Sequence, residues 1–122
     1  MIGIGIDLCE IVRMEKKKDD AAFLRRYFTP EEQAYLAARG KTAAQSMAAM
    51  FAAKEALLKA MGTGIGGGIP LADISVAHAE SGKPEYRLTG MAAQKMEKLG
   101  ATHAWLSLTH EAGLAAAVAV IE

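Results

Sequence analysis

The stretch "MFAAKEALLKAMGTG", residues 50–64, decides the fold. It is rich in alanine, leucine and methionine, all good helix formers, and it runs into glycine. At 100° per residue, Met47, Met50, Phe51, Leu57, Leu58 and Met61 share one broad apolar stripe, the face a helix buries. Lys54 falls near the middle of that stripe, and Glu55 and Lys59 lie along one edge of it. Read as scaffold, Glu55 and Lys59 are an i, i+4 pair that adds only ~0.2–0.5 kcal/mol, and Lys54 threads its ammonium past apolar neighbours to the surface. Read as a site, the three polar heads share a cleft with an anionic ligand, because a phosphate makes a lysine on an apolar face tolerable.

The helix is expected over about residues 43–61, ending at Gly62, with "GTGIGGGIP" as the loop that follows. That loop is phosphate-cradling in composition, but a P-loop runs strand, glycines, lysine, helix, and here the glycines follow a helix. Upstream, the isoleucine-rich start reads as a strand from Ile2 to about Ile11, whose Gly3 and Gly5 permit close approach of another backbone or ligand. A short helix is expected at roughly 19–28. "TPEEQAYLAAR" then starts a helix cleanly, with Thr29 as N-cap, Pro30 at the first position, Glu31 and Glu32 at the positive end of the dipole, and Gly40 as the stop.

Downstream, strands are expected around 73–79 and at "EYRLTG" (85–90), separated by the turn "SGKP". A helix follows at 90–99, and "AWLSLTH" and "LAAAVAVIE" complete the chain as strands joined by "HEAG". The last strand lacks clear alternation, which predicts burial on both faces. The whole chain, residues 1–122, reads as a single α+β domain with a mostly antiparallel sheet packed on the long central helix.

Composition narrows the function classes. The 122 residues are 52% hydrophobic and 23% charged, a globular balance with room for a core. Fourteen basic and fourteen acidic side chains cancel, which argues against a general nucleic-acid binder. A local basic run remains: "RMEKKKDDAAFLRR", residues 13–26, holds six basic residues against three acidic ones, and as a charge pattern it is a solvated helix face. No apolar run is long enough to span a bilayer, and the acidic residues Asp7 and Glu10 interrupt any leader-like start. A single cysteine, Cys9, cannot form an intrachain disulfide, which suits a reducing cytoplasm.

Asp7, alone among isoleucines, is either solvent-facing or held by a cation, and Glu55 is its natural partner if strand and helix pack. Two carboxylates together with substrate phosphates form the usual Mg²⁺ arrangement. His110 ends its strand near Ser107 and Thr109, but "LSLTH" lacks the nucleophile-elbow pattern of a hydrolase. His78 and His103 have no partners at metal-ligand spacing.

Taken in order, "GIGIDLCEIVR" (3–13), "FAAKEALLKAMGTGI" (51–65), "SGKPEYRL" (81–88), "LSLTHE" (106–111) and "AAAVAVIE" (115–122) resemble the holo-[acyl-carrier-protein] synthases, the small bacterial phosphopantetheinyl transferases. The resemblance implies a phosphopantetheinyl transferase-like fold and transfer of the phosphopantetheine arm of coenzyme A to a serine of an apo acyl-carrier protein. It releases 3′,5′-ADP and supports fatty acid biosynthesis. It implies Asp7 and Glu55 as Mg²⁺ ligands, and Lys59 as the lysine that reaches the phosphates and steadies the leaving group. Lys54 is expected at the coenzyme as well, buried at a helix–sheet or subunit interface with its head near a phosphate or carbonyl.

His110 and Ser107 match strand residues that contact the nucleotide phosphates, and Gly62, Gly64, Lys83 and Pro84 match loops that shape the coenzyme pocket. Either a metal-bound water or Glu55 assists deprotonation of the serine. Acyl-carrier proteins are acidic, so Arg13, Arg25 and Arg26 would dock them, and the family forms homotrimers with sites at subunit interfaces. One departure stands out: the family places arginine before "FAAKEA", where this chain has Met50. That leaves a non-catalytic coenzyme A or carrier-protein binding module on the same fold as the alternative.

Overall fold

A computed structural model describes residues 1–64 and 66–122. Its axis is helix α4, Ala43–Ala60, against which both sheets pack. Twelve of its eighteen residues are buried, six of them alanines, so neighbouring backbones can come close on several sides. One side carries a three-stranded antiparallel sheet in the order β1 (Gly3–Glu10), β5 (Leu114–Ile121), β4 (Ala104–Glu111). On another side a separate antiparallel pair, β2 (Ile74–His78) and β3 (Pro84–Leu88), is tied to α4 by Tyr86, whose Oη donates to the Ala53 carbonyl at 2.6 Å. The expected mostly antiparallel α+β architecture is therefore present, divided into two sheets.

β1 lies against α4 at backbone contact. A methyl added at Gly5 would overlap the Ala56 carbonyl oxygen and sit 2.7 Å from the Ala60 nitrogen, and one at Gly3 would overlap the Ala60 carbonyl oxygen. The close approach read from these glycines is thus to a helix backbone. β1 stops at Glu10, one residue before the expected end. Ile11 opens a five-residue helix α1 (Ile11–Glu15) that the sequence reading did not anticipate.

Helix α2 covers Ala21–Tyr27, and α3 covers Pro30–Ala37. α3 begins with a full capping box: Thr29 Oγ1 accepts from Glu32 N at 3.2 Å, and Thr29 N donates to Glu32 Oε1 at 2.9 Å. It ends before Gly40, which instead opens a 3₁₀ turn leading into α4. At the far end of α4, Gly62 N donates to Lys59 O and Thr63 N to Leu58 O, both at 3.0 Å. This is a Schellman stop with Gly62 in the left-handed region. Helix α5 (Gly90–Lys98) closes the chain's second half.

β5 departs from its expected burial on both faces. Ala115, Ala117, Ala119 and Ile121 are buried against α4, while the intervening residues are only half-buried. The reason is that α4 covers one face of the sheet and nothing among the described residues covers the other. Ile4, Ile6 and Leu8 are 58%, 64% and 60% exposed there.

Candidate active site

Alternation along β1 puts Gly5, Asp7 and Cys9 on the face toward α4 and leaves Ile4, Ile6 and Leu8 outside. Glu55 and Lys59 stand one turn apart on the helix opposite. Lys59 Nζ donates to Asp7 Oδ1 at 2.8 Å and to the Ile6 carbonyl at 3.0 Å. The lysine expected to pair with Glu55 along the helix pairs across to the strand instead. The other oxygen, Asp7 Oδ2, is buried without a hydrogen-bond partner. Burial, and after it the neighbouring Asp7 carboxylate, lift the Glu55 carboxyl from its ordinary 4.5 to about 7, against the opposing pull of Arg13 and Lys59.

Asp7 and Glu55 therefore neighbour each other, with Lys59 and Arg13 as the cations beside them. Glu55 also lines a cleft of about 600 Å³ with Arg13, Arg26 and Phe51 on one side and the end of the glycine loop, Gly66–Leu71, on the other. The Arg13 guanidinium stands 5.1 Å from the centre of the Phe51 ring, stacked over it. Ile65, inside the glycine loop, lies outside the described residues.

Lys54 corrects the sequence reading. Its side chain is fully buried, and its ammonium donates to Glu32 Oε1 at 2.7 Å, to Leu71 O at 3.1 Å and to Ile74 O. It neither reaches the surface nor has a proton left for a coenzyme phosphate. The expected burial between helix and sheet, with the head near a carbonyl, is met; the place at the coenzyme is not. Glu32, read simply as a dipole partner at a helix start, is the buried counterion. The T-x-x-E spacing from Thr29 was the available signal.

The remaining candidates lie elsewhere. His110 faces α4, where its Nε2 meets the Gln45 side-chain amide at 3.2 Å, in a 210 Å³ cavity shared with Arg39, Met50 and His78. Ser107, opposite Val118 in the register, points to the other face of the sheet, so it cannot act with His110 as a hydrolase pair. Lys83 and Pro84 sit at the β2–β3 turn, with Lys83 Nζ 5.7 Å from the Trp105 ring centre. Gln45 and Glu55 are ten residues apart on α4, about 15 Å along its axis, so one protomer does not gather all the expected coenzyme contacts at one place.

Arg13 belongs to α1 and Arg25 and Arg26 to the last turn of α2. All three are exposed. The sequence reading missed Arg39 and the Tyr35–His78 stack, whose rings lie 4.2 Å apart and 3° from parallel. These residues line a third cavity of about 710 Å³ between α3 and β2, remote from the carboxylates.

Fold and site together define a small α+β protein in which Glu55 lines a cleft with two arginines and neighbours Asp7, itself bonded to Lys59. The 4′-phosphopantetheinyl transferase superfamily model matches residues 3–119, and the chain belongs to that superfamily. The holo-[acyl-carrier-protein] synthase of Treponema denticola is 46% identical over 122 residues, spanning all of this chain and 98% of the relative. Among solved structures, the synthase of Neisseria meningitidis superposes with a TM-score of 0.86 at 38% identity, covering 100% of this chain and 98% of its own. The Helicobacter pylori synthase in complex with coenzyme A gives 0.83 at 32% identity, covering 98% of this chain and 99% of its own.

Proposed function

We propose that the chain is a Mg²⁺-dependent holo-[acyl-carrier-protein] synthase that moves the phosphopantetheine arm of coenzyme A onto a serine of an acidic apo acyl-carrier protein. The observation that carries this is the Asp7–Glu55 patch. A buried carboxylate oxygen without a partner and a carboxyl whose pKa is lifted to about 7 by burial and then by that neighbour suit a divalent ion that shares its shell with phosphate and water. Asp7 and Glu55 would hold Mg²⁺, which supplies charge neutralisation at the pyrophosphate.

In this reading the serine Oγ attacks the phosphorus that bears the pantetheine. A new P–O bond forms, the bond to the nucleotide's 5′-phosphate oxygen breaks, and 3′,5′-ADP leaves. Lys59, exposed and bonded to Asp7, would swing onto the leaving phosphate, where positive charge lowers the barrier. Of the possible acceptors for the serine proton, Glu55 is the one the chain supplies.

Gly62, Gly64, Lys83, Pro84, Ser107 and His110 are assigned to coenzyme binding, with the His110 group acting on the coenzyme of a neighbouring subunit. The uncovered sheet face, with Ile4, Ile6 and Leu8 outward, supports the homotrimer that this division requires. Arg13, Arg25 and Arg26 dock the acidic carrier beside the cleft, raising its on-rate in a salt-sensitive way. The site of action is the cytoplasm, where holo carrier feeds fatty acid synthesis.

Met50, buried where the family's arginine is expected, favours the binding-module alternative. The same cavity, however, receives the Arg39 guanidinium, a cation from the end of α3. One experiment separates the two readings: incubate the chain with apo carrier, coenzyme A and Mg²⁺, and weigh the carrier by mass spectrometry. A phosphopantetheine-sized gain, absent with a folded Asp7→Ala variant, supports the transferase. An unmodified carrier that still forms a complex overturns it.

A further inference from the structure

The Lys54–Glu32 pair has no part in the chemistry above, yet it is the most completely satisfied polar group in the core. Besides the three bonds from Lys54 Nζ, Glu32 Oε1 accepts from Thr29 N at 2.9 Å and Oε2 accepts from Val76 N at 2.9 Å. Ile74 O and Val76 N lie on the edge of β2 turned away from β3. The ion pair stands there in place of a further strand, ammonium to carbonyl and carboxylate to amide. Stability does not explain it, since well-packed apolar residues replace a buried ion pair at little or no loss.

Position does. Lys54 is the residue before Glu55, on the same helical turn, and its bond to Leu71 O grips the chain where the glycine loop ends. Leu71 in turn belongs to the cleft wall facing Glu55. The loop's other end is held separately, by the Schellman stop at Gly62. We propose that Lys54, oriented by Glu32, is a positioning residue that fastens the far end of the glycine loop to the Glu55 turn and so sets the width of the coenzyme cleft. The inference rests on the reading that coenzyme A occupies that cleft.

The test uses the full chain and two variants. Lys54→Met alone strands a buried carboxylate and is prone to unfold. The double variant Lys54→Met with Glu32→Leu removes both charges and is expected to fold with a melting temperature near the native one. In that folded double variant, KM for coenzyme A should rise about tenfold and kcat should stay within about threefold, with KM for the carrier unchanged. Hydrogen exchange at the Asp73 amide, which donates to Pro70 O at 3.0 Å, should quicken about tenfold while α5 is unaffected. An unchanged coenzyme KM in a folded double variant overturns the proposal, because a merely structural pair would leave it so. If the native chain neither binds nor uses coenzyme A, the functional reading has failed. The exchange rate at Asp73 then decides alone, and an unchanged rate refutes the clamp.

Discussion

Replacing Gly5 by alanine should damage fold and site together. Gly5 is not among the residues in the left-handed region, so the backbone accepts alanine and the whole cost comes from the methyl group. That methyl would stand 2.7 Å from Ala60 N, about 0.7 Å short of ordinary 3.4 Å contact, and would overlap the Ala56 carbonyl oxygen more deeply. Both obstacles are helix backbone in the C-terminal part of α4, which cannot rotate aside as a side chain would. β1 and α4 must therefore part by at least 0.7 Å. Overpacking of this kind costs ~3 kcal/mol or more, roughly 10 °C in melting temperature for a chain of this length.

Asp7 follows two residues later on the same face of β1, so the same displacement pulls it from Lys59, now 2.8 Å away, and from Glu55 on α4. A misplacement approaching 1 Å at reacting groups lowers turnover by about 10²-fold. Thermal melting by circular dichroism and the carrier-modification assay at a temperature where the variant is folded read the two effects. A Gly5→Ala chain that melts within about 2 °C of the native one would refute the claim that backbone contact sets the spacing of strand and helix.

The Glu55 carboxyl predicts a pH signature in the metal-free chain. Because its folded pKa is raised from 4.5 to about 7, the folded state keeps a proton there that the unfolded state gives up, and stability falls as pH rises through that window. Glu55→Gln should flatten this limb of the melting-temperature profile, and Mg²⁺, competing with the proton, should stabilise more at pH 8 than at pH 6. Equal Mg²⁺ effects at both values count against the pair as a cation site. Ile6→Lys, which charges the open face of the three-stranded sheet, should convert the assembly to monomers in sedimentation analysis while the protomer stays folded. A native chain already monomeric at micromolar concentration would remove the proposed trimer.

Much of the fold follows from local signals. The long helix, the Thr29–Pro30 start and the Gly62 stop needed only periodicity and capping chemistry, and each falls within a residue or two of its expected place. Where the reading failed, the deciding information was non-local. Nothing within "LAAAVAVIE" says that α4 covers one side of that strand and leaves the other open. Burial of Lys54 between helix and sheet beside a carbonyl was legible from its helical position, but its counterion was not, because that is Glu32, twenty-two residues earlier in the chain.

The site itself shows how far a local pattern can carry. Gly3, Gly5 and Asp7 occur at successive alternate positions, so a strand must present all three to the same neighbour. Two residues without side chains bring that neighbour to backbone contact, and the third then meets whatever polar groups it carries. The central helix offers Glu55 and Lys59 a single turn apart, so the aspartate arrives beside both. The glycines of β1 and the Asp7–Glu55 pair are one device. The small residues exist at those positions because the acid two residues on has to reach across.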